Sequence, residues 1–162
     1  MNLIEIWRNR GRDDNIATKK LFSGLSKSKS RLTNELADKL HSEVFREIDC
    51  LDCANCCKSI PPLVNEMDVR RASKYLGIKT GIFKENYLII DEDDDMIINS
   101  SPCPFLLEDN TCEIYEARPR ACREYPHTNN HEFMKNIRLH KKNFEYCPGV
   151  YHILKRLHKA NF

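Results

Sequence analysis

Between Ser30 and Ile48 apolar residues return at every fourth position. Leu32, Leu36, Leu40, Val44 and Ile48 form the series, Ala37 and Phe45 lie beside it, and Lys, Arg, Glu and Asp fill the other faces. This spacing predicts an amphipathic helix over 30–48 that delivers the chain directly into Cys50. A second helix is expected to start at Asn65 as N-cap, with Glu66 and Asp68 at its positive end, and to stop at Gly77 after Tyr75 and Leu76. The short apolar runs Tyr87–Ile90 and Met96–Ile98 flank an acidic run, Asp91–Asp95, and read as two strands around a turn. That run lacks the glycine and the closing glutamate of a calcium loop, so a solvated hairpin turn is expected. Val150, Ile153, Leu154 and Leu157 have helical spacing and predict a last helix over 150–162. From Ser101 to about Thr128 periodicity gives way to Pro and Cys. A loop of that length inside a domain needs something to hold it. No repeat at a solenoid period is present.

These elements predict an α+β fold, mostly α. A small irregular cysteine-rich centre with a short β-hairpin is flanked by N- and C-terminal helices. The expected organisation is an N-terminal helical extension over 1–49, a cysteine-cluster domain over 50–149, and a C-terminal helix over 150–162 packed on it. The chain has 162 residues, of which 41% are apolar, 5 are Gly and 7 are Pro. That length suffices for a substantial core, and the composition excludes collagen-like and wholly disordered classes.

No stretch approaches the roughly 20 apolar residues of a membrane-spanning helix. The segment Met1 to Arg8 breaks its apolar run at Glu5, so neither a signal peptide nor a membrane partner is expected. A cytoplasmic location follows, where thiols stay reduced and cysteines become candidate metal ligands rather than disulfides. Charge is uneven. Residues 1–49 carry 10 basic and 8 acidic side chains, 50–128 carry 9 and 14, and 129–162 carry 7 and 2. The basic tail reads as a solvated helix end, and with no RNA- or DNA-reading motif beside it nucleic acid is not an expected partner.

All eight cysteines fall between Cys50 and Cys147, and seven of them lie in 50–128, the segment richest in acidic residues. Cys50, Cys53, Cys56 and Cys57 form a C-x2-C-x2-C-C string, followed by Cys103, Cys112, Cys122 and Cys147. Cysteines three apart on a tight loop turn their sulfurs toward a common centre, in zinc and in iron–sulfur sites alike. Cys56 and Cys57 are adjacent, and their side chains are expected to diverge, which suggests more than one centre or a polynuclear one. Zinc ribbons usually present two C-x2-C knuckles, each commonly followed by Gly, and this chain has one dense cluster without glycines behind it. Its Cys103-Pro104 and Cys147-Pro148 pairs tilt the reading toward iron–sulfur. Thiolates select zinc, copper(I) and iron–sulfur units over calcium or magnesium. The charge of such a centre calls for compensating donors. Arg118, Arg120 and Arg123 flank Cys122, and Arg118 and Arg123 are assigned as supporting residues behind the ligands, with ion pairing to the acidic segment as the alternative. Pro102, Pro104 and Pro119 stiffen the ligand-bearing loops.

Cys50 to Cys57, then the run Ser101 to Leu106, then Cys112 to Pro126, then Cys147 to Gly149 together resemble the CxxCxxCC, or YkgJ-type, cysteine-cluster family of zinc- or iron-chelating proteins. The resemblance spans about two-thirds of the chain and takes in all eight cysteines in order. It implies metal chelation by Cys50, Cys53, Cys56, Cys57, Cys103, Cys112, Cys122 and Cys147. The expected cofactor is an iron–sulfur cluster of the 4Fe–4S type, with zinc as the alternative. The expected function is redox or partner interaction through that centre, with an unidentified protein as partner. The competing readings are a structural zinc-binding interaction module without catalysis and an iron–sulfur-dependent modifying enzyme related to flagellin lysine-N-methylase, which resembles the family too. No catalytic residue is assigned, because no Gly-rich phosphate loop, HExxH or GxSxG string is present. A four-disulfide scaffold is disfavoured by compartment and by the adjacent pair. For Cys147, the most distant of the eight, an inert buried thiol is the alternative to a ligand, and His127 and His131 read as polar loop residues rather than substitute ligands.

Overall fold

The computed structural model describes residues 1–10, 14–25, 30–129 and 131–160. In chain order these form α1 (Leu3–Arg8), α2 (Asp14–Leu25), α3 (Ser30–Glu47), α4 (Cys50–Cys53), α5 (Asn55–Ser59), α6 (Glu66–Leu76), α7 (Thr80–Tyr87), β1 (Leu88–Ile90), β2 (Met96–Ile98), a 3-10 turn (Tyr115–Ala117), α8 (Arg120–Glu124), α9 (Ile137–Asn143) and α10 (Pro148–Lys159). Among the described residues helix makes up 58% and strand 6%, a mostly α protein with a small β part. Two compact units result: Met1–Cys50 with Pro126–Phe162, and Leu51–Tyr125.

In the first unit α10 packs against α1, α2, α3 and α9. Its apolar content is high enough that Val150, Tyr151, Ile153, Leu154 and Leu157 are all buried. α3 presents Ala37, Leu40 and Val44 to the core, with Ile48 buried just past its end, as the spacing predicts, but Leu32 is 47% exposed and the buried residue of that turn is Thr33. The reason is geometric. A four-residue step overshoots a 3.6-residue turn by about 40°, so a series of five such positions winds round the helix rather than staying on one face. Gly149 leaves room where α10 crosses α3, since a Cβ there would stand 2.3 Å from the Phe45 ring and the ring would have to shift. His152 Nε2 donates to the Leu3 carbonyl at 2.7 Å, and Arg156 pairs with Glu47 at 3.0 Å, fastening α10 to α1 and α3. The expected last helix begins two residues earlier than the spacing suggests, with Pro148 at its first position, and its final residues 161 and 162 lie outside the described residues.

The second unit starts from a well-marked helix. The Asn65 side chain accepts the Asp68 amide at 2.8 Å while the Asp68 carboxylate accepts the Asn65 amide at 3.1 Å, a reciprocal capping box. α6 ends at Gly77, whose φ of 69° is the left-handed conformation that a Cβ disfavours. The expected hairpin is present. Leu88 pairs with Ile98, Ile89 with Ile97 and Ile90 with Met96, while Tyr87 closes α7 instead of opening the strand. Val64, Val69, Ala72, Phe83, Leu88, Ile98, Phe105, Ile114 and Ala117 form the core, and Cys103 and Cys112 pack against it.

Candidate metal centre

Four thiols of the second unit reach one another's electrostatic field from three segments, Cys57 on α5, Cys103 and Cys112 at the ends of one loop, and Cys122 on α8. α4 ends at the buried Cys53, and Ala54, at φ 47° and ψ 20°, turns the chain through a left-handed step into α5. A non-glycine residue in that region costs about 1–2 kcal/mol, so the turn is held by its surroundings. Lys58 Nζ donates to the Cys53 carbonyl at 3.3 Å across it. α5 carries Cys56 and Cys57, and the Cys57 carbonyl accepts the Cys103 amide at 2.9 Å, which moors the distant Pro-rich loop to this short helix.

The Cys103–Cys112 loop is a small ladder. Glu113 N–H donates to the Phe105 carbonyl and Leu107 N–H to the Thr111 carbonyl, both at 2.9 Å, with Leu106 bridged to Cys112. Asp109 Oδ1 accepts the Thr111 amide at 3.0 Å and its hydroxyl at 2.6 Å, shaping the tip. Asn110, at φ 65°, ties the tip to the Leu51 carbonyl at 2.6 Å. Cys122 arrives on α8, whose start is fixed by Asp68: its Oδ1 accepts the Arg120 amide at 3.1 Å and pairs with Arg71 at 2.5 Å. Arg71 in turn donates to the Arg118 carbonyl at 2.8 Å. The helix that caps itself through Asp68 therefore also positions the segment bearing Cys122.

The electrostatics link the four. Burial pushes the Cys122 thiol up to about 12, and the charges of Cys57, Cys103 and Cys112 add to the rise. Burial likewise raises Cys103, with Cys57 and Cys112 contributing, and raises Cys112, with Cys57 contributing. Cys57 moves the opposite way, to about 7, because the Cys56 thiol hydrogen-bonds to it and Lys58 lies close. Without a cation the set therefore favours one thiolate at Cys57, and each further ionisation meets burial and like charge. A bound cation removes that obstacle, which is the chemistry of a thiolate metal site. Among the described residues no three His, Cys, Asp or Glu side chains stand in direct ligating geometry, so closing on an ion requires side-chain movement. The donor set still fits a soft metal, because it is all sulfur, part-buried, and carried on loops anchored by main-chain hydrogen bonds.

The adjacent pair departs from expectation. Cys56 Sγ and Cys57 Sγ approach to 4.0 Å on α5 rather than diverging. Sulfurs sharing one tetrahedral ion at 2.3 Å bonds lie roughly 3.8 Å apart, so adjacency is compatible with a shared centre. Cys50 is exposed and Cys147 is buried as the residue preceding α10, and both belong to the helical unit. None of the eight cysteines is in a disulfide.

Of the arginines, Arg118 lies 3.7 Å over the Tyr115 ring and its charge favours the thiolate forms of Cys112 and Cys122. Arg123 donates to the Arg118 carbonyl at 3.2 Å, and Arg120 pairs with Glu124 at 2.5 Å. Lys58 was not among the expected supporting residues, although its place directly after Cys57 is the signal that would have found it. His131 lies in the helical unit, where its carbonyl accepts from Asn34 at 2.6 Å, and His127 lies there too. Among the described residues no helix is long and apolar enough to cross a membrane.

The sequence model of the CxxCxxCC family, described as a putative zinc- or iron-chelating domain, matches residues 49–148, and the chain belongs to that family. No curated protein and no solved structure matches it.

Proposed function

Given that membership, we propose that the chain is an iron–sulfur protein of a reducing compartment, with all eight cysteines as ligands, acting in redox or partner interaction. The observation that carries the reading is that Cys57, Cys103, Cys112 and Cys122 come from α5, the 103–112 loop and α8 into one unit, close enough for the charges of the first three to raise Cys122. We assign these four as one ligand set and retain Cys50, Cys53, Cys56 and Cys147 as the remaining ligands. A bound 4Fe–4S cluster would supply one-electron chemistry. The chain's part is to release the thiol protons on binding, to exclude water around Cys103 and Cys112 through the Phe105 and Ile114 core, and to offset anionic charge with Arg118 and Lys58.

Zinc is the second reading, favoured by the 4.0 Å approach of Cys56 to Cys57, which suits one small ion better than a bulky cluster. The site would then be closed and structural, holding the 101–125 loops in shape for an interaction. Protein purified without oxygen, analysed for iron, sulfide and zinc and by visible absorption, separates the two. Iron with sulfide and a broad visible absorption shoulder supports the first reading. Colourless protein with stoichiometric zinc reverses it, and protein with neither metal removes both.

A further inference from the structure

The hairpin of the cysteine-bearing unit leaves one edge of a small sheet open. Asn99 N–H donates to the Tyr87 carbonyl and Asp91 N–H to the Asp95 carbonyl, both at 2.9 Å. Residues 87, 89 and 91 therefore turn their main-chain groups toward β2, and by the alternation of an antiparallel ladder those of Ile90 point away from it. The far side of β2 is taken. Val64 N–H donates to the Met96 carbonyl at 2.8 Å and Ile98 N–H to the Pro62 carbonyl at 3.1 Å. β2 is thus central and β1 is the edge.

The face above this edge is apolar. Leu63 is bridged to Ile97 and Ile97 is paired with Ile89, so the three lie in one row across the strands, with Leu63 50% and Ile89 48% exposed. Ile90, at the edge, is 62% exposed. β1 is Leu-Ile-Ile, without the Lys, Pro or bulge that usually blunts an open edge. It runs straight into the acidic turn. Asp91 Oδ1 accepts the Asp93 and Asp95 amides at 2.9 Å and is spent on shaping that turn, while Glu92, Asp93, Asp94 and Asp95 are exposed.

We propose that β1 is a docking edge for an extended segment of a partner protein, apolar at alternate positions and carrying Lys or Arg where it passes the 91–95 turn. Main-chain pairing with Ile90 supplies the attachment, the Leu63, Ile97 and Ile89 row receives one apolar side chain, and the four exposed carboxylates select a basic neighbour. A second copy of this chain is the poorer occupant. Residues 51–125 carry 9 basic against 14 acidic side chains, so two such edges brought together repel. The edge lies outside the thiol set, so the inference stands apart from the identity of the metal.

The test titrates the full-length, metal-loaded, isotope-labelled chain with the acetylated peptide amide Lys-Val-Thr-Val-Lys-Lys and with its counterpart bearing Glu for Lys. The expected result is saturable binding of the basic peptide alone, with the Ile90 amide shifting and its hydrogen exchange slowing while the Ile89 amide changes little. Ile90→Pro should weaken binding about tenfold or more, since an edge strand tolerates Pro where the N–H lies outside the ladder. The quadruple variant Glu92→Gln, Asp93→Asn, Asp94→Asn, Asp95→Asn should weaken it comparably without touching the edge. Equal binding of both peptides, undiminished binding by Ile90→Pro with the hairpin intact, no saturable binding, or a dimer joined through β1 would each overturn the proposal.

Discussion

His140 should make the helical unit acid-sensitive. Its side chain is fully buried and lies flat on Phe133 with ring centroids 4.2 Å apart. Burial, with the nearby His127 adding to it, pulls its pKa from 6.5 down to about 4. A base whose folded pKa is depressed binds protons in the unfolded chain first. Its contribution is therefore complete above the unfolded value of 6.5 and is lost as pH falls toward 4. At about 1.4 kcal/mol per unit, the gap is worth about 3 kcal/mol over that window, of which roughly 2–3 kcal/mol has gone by pH 4.5. Burial lowers His41 and His152 as well, so they act in the same direction. The assay is urea unfolding at pH 7.5, 6.5, 5.5 and 4.5, read by fluorescence of Trp7, the single tryptophan, which is buried in this unit beneath the Arg10 guanidinium at 4.4 Å. His140→Leu keeps the volume and removes the titration. Whatever it does to packing at pH 7.5, its stability should fall less on acidification, by about 2 kcal/mol. If the two proteins lose stability in parallel to within about 0.5 kcal/mol, the buried neutral imidazole is not the cause.

Three further outcomes are expected. Stripping the metal should lower the melting temperature by about 10 °C or more, with amide exchange accelerating at Cys103 and Leu106, whose N–H groups donate to the Cys57 and Cys103 carbonyls; an unchanged melt after complete removal would refute metal-linked folding. Cys122→Ala should reduce bound metal by the share held in its set while leaving the Trp7 unfolding transition in place, and full metal content in this variant would remove Cys122 from the ligands. Gly149→Ala should cost about 1–3 kcal/mol, because the new methyl meets the Phe45 ring at 2.3 Å, and equal or higher stability by Trp7 fluorescence would mean that the ring moves freely.

The parts of the fold that were legible are those specified locally. Asn65, Asp68 and Gly77 announce α6 because capping involves neighbours in sequence, and the acidic run announces the hairpin because no buried element tolerates it. Leu32 misled because counting in fours approximates a helix only over a turn or two, and Tyr87 because an aromatic residue beside Leu-Ile-Ile reads as strand while the preceding turn already makes it helical. The grouping of thiols was out of reach for a different reason. Cys57 is next to Cys56 in sequence and faces Cys103, Cys112 and Cys122 electrostatically, an outcome set by the left-handed step at Ala54 and by the Asp68 and Arg71 contacts that place α8. Sequence spacing lists donors without saying which way a helix turns them.

That same arrangement bears on why these donors sit in the acidic unit. Burial is the first cause of the upward shifts of Cys103, Cys112 and Cys122 and the neighbouring thiolates the next, and the excess of 14 acidic over 9 basic side chains across 51–125 adds to them through Glu113 at Cys112. A protein that only needed inert thiols would gain from a neutral setting. One that must hold a cation gains from the acidic one, because the cost of the metal-free thiolates is relieved on binding and the difference between the two states widens. Arg118 and Lys58 then act at the margin, offsetting anionic charge at Cys112, Cys122 and Cys57. Replacing Arg118 with Gln should therefore weaken metal retention by a modest factor, about tenfold, with the Tyr115–Ala117 turn preserved. Retention unchanged in a chelator competition would show that the guanidinium serves only its stacking on Tyr115.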